Sequence, residues 1–140
     1  MKLAGQTVVL TGSSSGIGAE AARKLARLGA TVCLLARRED QLEEVKASIE
    51  ADGGVAHTYA VDLSDPDAAD AVAARLLTDH PRIDALVNNA GRSIRRPIRD
   101  SVDRAHDYER TMAINYFGAV RLTLALVPRF LEQGPGPVVI

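Results

Sequence analysis

The chain is 140 residues long, 46% hydrophobic and 25% charged, which excludes a disordered or fibrous protein and fits one globular domain or a large piece of one. Seventeen Lys and Arg against eighteen Asp and Glu leave a net charge of −1, so no basic field invites a nucleic acid or an anionic lipid surface. The single cysteine, Cys33, has no disulfide partner in the chain and lies in the apolar run 31–36, where it reads as a buried structural thiol in a reducing compartment. No run approaches ~18 apolar residues, and residues 1–6 are too short and polar for a signal peptide core. A cytoplasmic protein without a membrane span is expected.

Short β-branched runs alternate with longer segments of helical period, the pattern of βαβ units and a parallel sheet. Residues 7–11 are a candidate first strand, after which Ile17, Ala21, Leu25 and Leu28 repeat at helical spacing until Gly29 stops the helix. Residues 31–36 make a second strand. Leu42, Val45 and Ile49 stripe a second helix, which Gly53 and Gly54 end before a third strand over 55–61. Asp65 can cap the next helix with Pro66 in its first turn, and Ala69, Val72, Ala73, Leu76 and Leu77 form its buried face. Residues 83–88 are the fourth strand. A loop with four arginines follows, then a helix over about 101–133 with irregularities at Gly118 and Pro128, and residues 138–140 begin a fifth strand. The predicted architecture is α/β, a doubly wound parallel sheet with helices on both faces. With no linker, repeat or low-complexity tract, residues 1–140 read as one folding unit. An end at Ile140 leaves the fifth strand short, so the expectation is a domain truncated just after that strand starts.

The segment Thr11-Gly-Ser-Ser-Ser-Gly-Ile-Gly18 falls between the first strand and the first helix, where backbone N–H groups and the helix dipole can hold a pyrophosphate. Gly12 permits a tight turn, Gly16 lets a phosphate approach the backbone, and Gly18 lets the helix pack close. Ser13 and Ser15 can add hydroxyl donors, and Ile17 lies among them. The competing reading is a strand-to-helix turn with no ligand. At the end of the second strand a dinucleotide fold commonly places an Asp or Glu on the ribose 2′-hydroxyl, but here the chain reads Ala36-Arg37-Arg38. Arg37 can instead make a fork-shaped, charge-assisted contact to a 2′-phosphate, with Arg38 stacking or assisting, which favours NADP over NAD. Alternatively Glu39 and Asp40 occupy both arginines as ion pairs. Asp62-Leu63 follows the third strand and Asn88-Asn-Ala-Gly91 ends the fourth, at the strand edge where open α/β sheets bind ligands. Turn chemistry alone also explains such a cluster.

Together these motifs resemble the short-chain dehydrogenase/reductase family. The resemblance rests on Thr11-Gly-x-x-x-Gly-x-Gly18, Asp62-Leu63, Asn88-Asn-Ala-Gly91 and the Asn115 of Ile114-Asn-Tyr-Phe-Gly118, in order along nearly the whole chain. It implies a Rossmann-type fold, an NADP(H)-dependent oxidoreductase, Asp62 near the adenine, and Leu63 touching it through the backbone. It also implies that Asn88 ties the central strands and that Asn89, Ala90 and Gly91 lie along the cofactor, the last two lining the nicotinamide ribose. Asn115 would kink the long helix and hold a water in a proton relay. As a polar residue in a stripe of Met112, Tyr116 and Ala119, Asn115 needs such a partner. A homo-oligomer is expected for the complete protein, acting on a small carbonyl or alcohol substrate.

The chain also departs from the family, whose catalytic centre adds a Ser and a Tyr-x-x-x-Lys. Its tyrosines are Tyr59, Tyr108 and Tyr116, followed four residues on by Leu63, Met112 and Val120, and no lysine occurs after Lys46. Asn115 is thus the one tetrad position present. A non-catalytic NADP-binding module or sensor, and an epimerase or dehydratase on the same fold, are the alternatives. Arg92, Arg95, Arg96 and Arg99 crowd the expected mouth of the site. They can attract an anionic substrate such as an acyl-CoA, in keeping with the likeness of residues 93–97 to family members that reduce lipid-like acyl groups or aldehydes, or they can form an exposed loop paired to Asp100 and Asp103. His57, His80 and His106 lack metal spacing and read as surface or strand-edge residues.

Overall fold

The computed structural model describes residues 3–140. In chain order it contains β1 (Thr7–Thr11), α1 (Gly16–Arg27), β2 (Thr31–Ala36), α2 (Glu39–Ala51), β3 (Val55–Ala60), α3 (Pro66–Asp79) and β4 (Ala85–Val87). A 3-10 turn (Ile98–Ser101) precedes α4 (Ala105–Met112), a π-helical segment (Ala113–Gly118), α5 (Ala119–Gln133) and β5 (Val138–Val139). The strands form one parallel sheet in the order β3-β2-β1-β4-β5. After β3 the chain crosses to the far side of β1, so a topological switch opens between the C-terminal ends of β1 and β4, where doubly wound sheets bind ligands.

Side chains alternate across each strand, and the core accordingly divides into two layers. Val8, Leu10, Val32 and Leu34 meet α1 and α2 on one face, while Val9, Cys33, Leu35 and Leu86 meet α3 and α5 on the other. Asp65 caps α3 as its sequence suggests, its carboxylate accepting the N–H groups of Asp67 at 3.0 Å and Ala68 at 3.4 Å.

Helix α1 differs from its predicted stripe. Its buried face is Gly18, Ala19, Ala22 and Ala26, whereas Ile17 is 82% exposed and Leu28 is also exposed. Small residues let this helix lie close to the sheet; Ala21 and Leu25 of the predicted stripe are half-buried against the same core, and its two ends, Ile17 and Leu28, point away. The predicted helix over 101–133 begins only at Ala105, and its irregularity is the π-helical segment ending at Gly118; Pro128 lies inside α5. The Met112 and Tyr116 side chains of the supposed apolar stripe are 48% and 54% exposed. Leu122, Leu126 and Phe130 form the buried face instead. The continuous helix Ala105–Gln133 meets the length and composition of a membrane span, with a mean hydropathy of 1.2 in its most apolar window, a test that the core helix of a sheet protein also passes, and Leu122, Leu126 and Phe130 of this helix pack into the core.

His80, read from the sequence as a surface or strand-edge residue, is buried at the end of α3. Its Nε2 lies 2.8 Å from the Tyr59 hydroxyl and 3.3 Å from Cys33 Sγ, and its ring packs edge-on to His57. The Tyr59 hydroxyl donates to Asp79 at 2.9 Å, Arg75 lies over the Tyr59 ring, and Arg129 donates to the His80 carbonyl. Burial pushes the Cys33 thiol up to about 12, so the thiol is inert. Burial first, and then the His57 charge, hold His80 below its ordinary value, with Asp79 pulling the other way. On acidification the unfolded chain therefore takes up a proton before the folded one does. Stability present above the ordinary histidine range is lost as the pH falls through the lower folded value. Melting the complete protein at pH ~7.5 and ~5.5 should show this loss, and His80→Gln should flatten it. An unchanged slope in the variant would remove His80 as the cause.

Candidate functional site

The C-terminal ends of β1 to β4 open into a crevice of about 1010 Å³, at the upper end of ligand-site volumes and large enough for a dinucleotide. Its floor is the glycine-rich turn. Gly12 has φ +67°, and a Cβ there would stand 2.8 Å from Ala90 Cα, so this turn and the Asn88–Gly91 turn touch without room for a side chain. The Thr11 hydroxyl joins them further. It accepts the N–H groups of Asn89 at 3.0 Å and Ala90 at 2.9 Å and donates to the Val87 carbonyl at 3.3 Å. The Asn89 amide donates to the carbonyls of Thr11 and Gly12 at 3.1 and 3.2 Å.

Ser15 begins α1 but makes no side-chain capping bond, and the first turn carries no acidic residue. Its N–H groups are thereby left for an anion. Ser15, Ile17 and Gly18 line the crevice with Gly12, and the space beside Gly16 is open. Ser13 departs from expectation. It is fully buried, and its hydroxyl donates to the Leu35 carbonyl at 3.3 Å, which ties the turn to β2 and turns the side chain away from any ligand. Ser14, unmarked by the sequence reading, lines the crevice instead. Which of three consecutive serines faces inward depends on the turn's backbone path, which composition does not encode.

Arg37 and Arg38 follow β2 directly and line the same crevice. Among the described residues neither has a carboxylate at ion-pair distance, so Glu39 and Asp40 do not occupy them. Asp62 and Leu63 stand beyond β3. The Asp62 carboxylate accepts the Ser64 hydroxyl at 2.6 Å and the Ser64 N–H at 3.0 Å. These bonds lead in holding it below the usual carboxylate range, with the charges of Arg37 and Arg110 adding to them. Asn89, Ala90 and Gly91 complete the wall at β4. Asn88 donates to the Thr123 hydroxyl at 3.2 Å, while its own carbonyl oxygen is buried without a protein partner.

Asn115 sits within the π-helical segment. Its Oδ1 accepts the Arg92 N–H and its Nδ2 donates to the Arg92 carbonyl, both at 2.8 Å. This paired contact fastens the helix to the chain just past Gly91, with the side-chain amide turned to backbone rather than to the crevice. In the arginine loop, Arg96 reaches Asp107 at 2.9 Å, and Arg104 reaches the same buried carboxylate at 2.8 Å. Those two hydrogen bonds hold Asp107 at about 2. Asp107, unmarked in the sequence, thus replaces the expected Asp103, while Arg99 meets Asp100 only at 3.7 Å. Arg92 lines the crevice, and so does Arg110 from α4.

A parallel sheet in the order β3-β2-β1-β4-β5 with helices on both faces and a glycine-rich turn between β1 and α1 is the architecture of the Rossmann class. The sequence model of the short chain dehydrogenase family matches residues 6–140, and the chain belongs to that family. It is 47% identical over 135 residues to a fatty acyl-CoA reductase of Acinetobacter baylyi, covering 96% of this chain and 46% of that protein. With a fatty acyl-CoA reductase of Mycobacterium tuberculosis it shares 46% identity over 137 residues, covering 98% and 47%. The fold matches a metagenomic short-chain oxidoreductase solved in complex with NADP, with TM-score 0.90 and 39% identity over 97% of this chain and 61% of that one. The chain spans about half the length of the curated relatives it matches.

Proposed function

We propose that this chain is the cofactor-binding part of an NADP(H)-dependent oxidoreductase whose complete form moves a hydride between nicotinamide and a carbonyl or alcohol carbon. Fatty acyl groups or long-chain aldehydes are the substrate class, by kinship with the acyl-CoA reductases. The observation that carries the cofactor choice is Arg37. It stands where the fold reads the adenosine ribose, lines the crevice and has no carboxylate partner among the described residues. A planar guanidinium there matches a 2′-phosphate and has nothing comparable to gain from a 2′-hydroxyl.

When bound, the cofactor supplies or accepts the hydride; the chain's own residues place it. The N–H groups at the start of α1 hold the pyrophosphate, Arg37 and Arg38 the 2′-phosphate, and Asp62 with Leu63 the adenine. Ala90 and Gly91 keep bulk away from the nicotinamide ribose. Asn115, whose amide is committed to Arg92, serves a proton relay through its main chain in the π-helical segment, where the carbonyl pattern of an α-helix is interrupted. A cytoplasmic, homo-oligomeric complete protein belongs to the same reading.

Arg37→Ala in the complete protein should weaken NADPH about 10- to 150-fold, the value of one charged hydrogen bond, and leave NADH almost unchanged. Equal losses for both cofactors, measured by titration calorimetry, would overturn the assignment.

A further inference from the structure

Arg110 has no place in the motifs of the crevice, yet it lines it from α4, together with Ala113 and Ile114 on the same helical face. Among the described residues it has no carboxylate at ion-pair distance. It lines that crevice together with Arg37, Asp62 and Leu63, and the charges of both arginines act on Asp62. Two cations and one carboxylate, Asp62 just past β3, thus line one crevice.

Resting on the proposed function, we infer that Arg110 is a specificity-determining residue that reads the adenine base by laying its guanidinium on the purine face. The position follows from the sheet. A dinucleotide with its pyrophosphate on the Gly12–Gly18 turn and its ribose at Arg37, beyond β2, carries its base outward over the end of β3, where Asp62 and Arg110 line the crevice. Chemistry then separates the two arginines. Arg37 faces a group that differs between NADP and NAD, whereas a base is common to both and presents a flat π-face rather than a charge. A guanidinium suits that face, since it is planar, weakly hydrated and stacks on aromatic rings. Asp62, already held by Ser64, keeps its remaining lone pairs for the exocyclic amine of adenine. The pair of residues therefore matches an aminopurine: a cation over the ring and an acceptor at its edge.

The test uses the complete protein and three probes: NADPH, NADH and reduced nicotinamide mononucleotide, which lacks the adenosine. Arg110 is exposed and on a helix, so alanine there favours the fold. Arg110→Ala should weaken NADPH and NADH alike, by roughly 3- to 30-fold, and leave the mononucleotide unchanged. Arg110→Lys, which keeps the charge and loses the plane, should recover only part of the loss. A loss confined to NADPH would overturn the assignment by moving Arg110 to the 2′-phosphate, and full recovery with lysine would replace stacking by simple charge. Affinities unchanged within twofold would remove Arg110 from the site. The underlying reading fails differently: wild-type protein that binds neither dinucleotide removes both, whereas equal losses in Arg37→Ala remove the NADP preference and leave Arg110 standing.

Discussion

Gly16→Val should abolish NADPH binding while the protein still folds, and Gly18→Val should damage both. The difference lies in where a new Cβ points. At Gly16 it meets nothing within 4 Å, and φ is +54°; under the proposed function that open space is the pyrophosphate's. A β-branched residue there costs about 1–3 kcal/mol of backbone strain, and the fold can bear that loss. At Gly18 the Cβ would stand on the Gly12 carbonyl and 2.6 Å from Asn89 Nδ2. Neither group has room to withdraw, because Asn89 is bonded to Thr11 and Gly12. Overpacking of this kind costs about 1–3 kcal/mol or more, and the helix start moves off the turn with it. Thermal melts paired with NADPH calorimetry separate the two. Unchanged affinity in Gly16→Val would place the cofactor elsewhere, and a Gly18→Val protein as stable as wild type would contradict the close contact.

Residues 1–140 expressed by themselves should show no measurable NADPH-dependent carbonyl reduction. They contain no Tyr-x-x-x-Lys, and absence of a positioned proton donor typically lowers a rate about 10²- to 10⁴-fold. Poor solubility should accompany inactivity. Leu124, Val138, Val139 and Ile140 are exposed, and among the described residues β5 pairs with β4 alone, which leaves its outer edge open to other chains. The assay compares this stretch with the complete protein, following NADPH absorbance with a panel of aldehydes, ketones and acyl thioesters. A soluble, active 140-residue protein would overturn the catalytic assignment. A complete protein that binds NADPH and reduces none of the panel would favour the binding module or sensor instead.

Local signals in the sequence were enough for the strands and most helices. The β-branched runs, the Asp65-Pro66 start of α3 and the glycines between β1 and α1 each act within a few residues, and the structure places them as read. Arg37 was legible for the same reason, as the residue just past a strand end. Failures cluster where distant segments meet. His80 is buried because the end of α3 lands on Cys33 and Tyr59, contacts that no local pattern announces. Ile17 is exposed because it borders the crevice rather than the core. Arg110 shares a site with Asp62 only through the path α4 takes across the sheet edge, and the helical face of Arg110, Ala113 and Ile114 was the one trace of it in the sequence. Asp107 was missed for a related reason: a buried carboxylate between two arginines looks, as sequence, like any other charged helix start.

The Thr11 hydroxyl sets a dimension. With its two accepted bonds and its one donated bond all made to the β4 side, it leaves the phosphate turn and the Asn88–Gly91 turn no freedom to drift apart. Under the proposed function these turns hold the pyrophosphate and the neighbouring nicotinamide ribose of one cofactor, and Thr11 works as the spacer between them without touching it. Gripping the phosphates then fixes the height at which the nicotinamide ring rests, so anchoring at the middle of the cofactor becomes alignment at its reacting end. Hydride transfer is sensitive to displacements of about 1 Å, which can cost about 10²-fold in rate. A side chain this small, far from the reacting carbon, therefore governs the tolerance to which the reacting atoms are held.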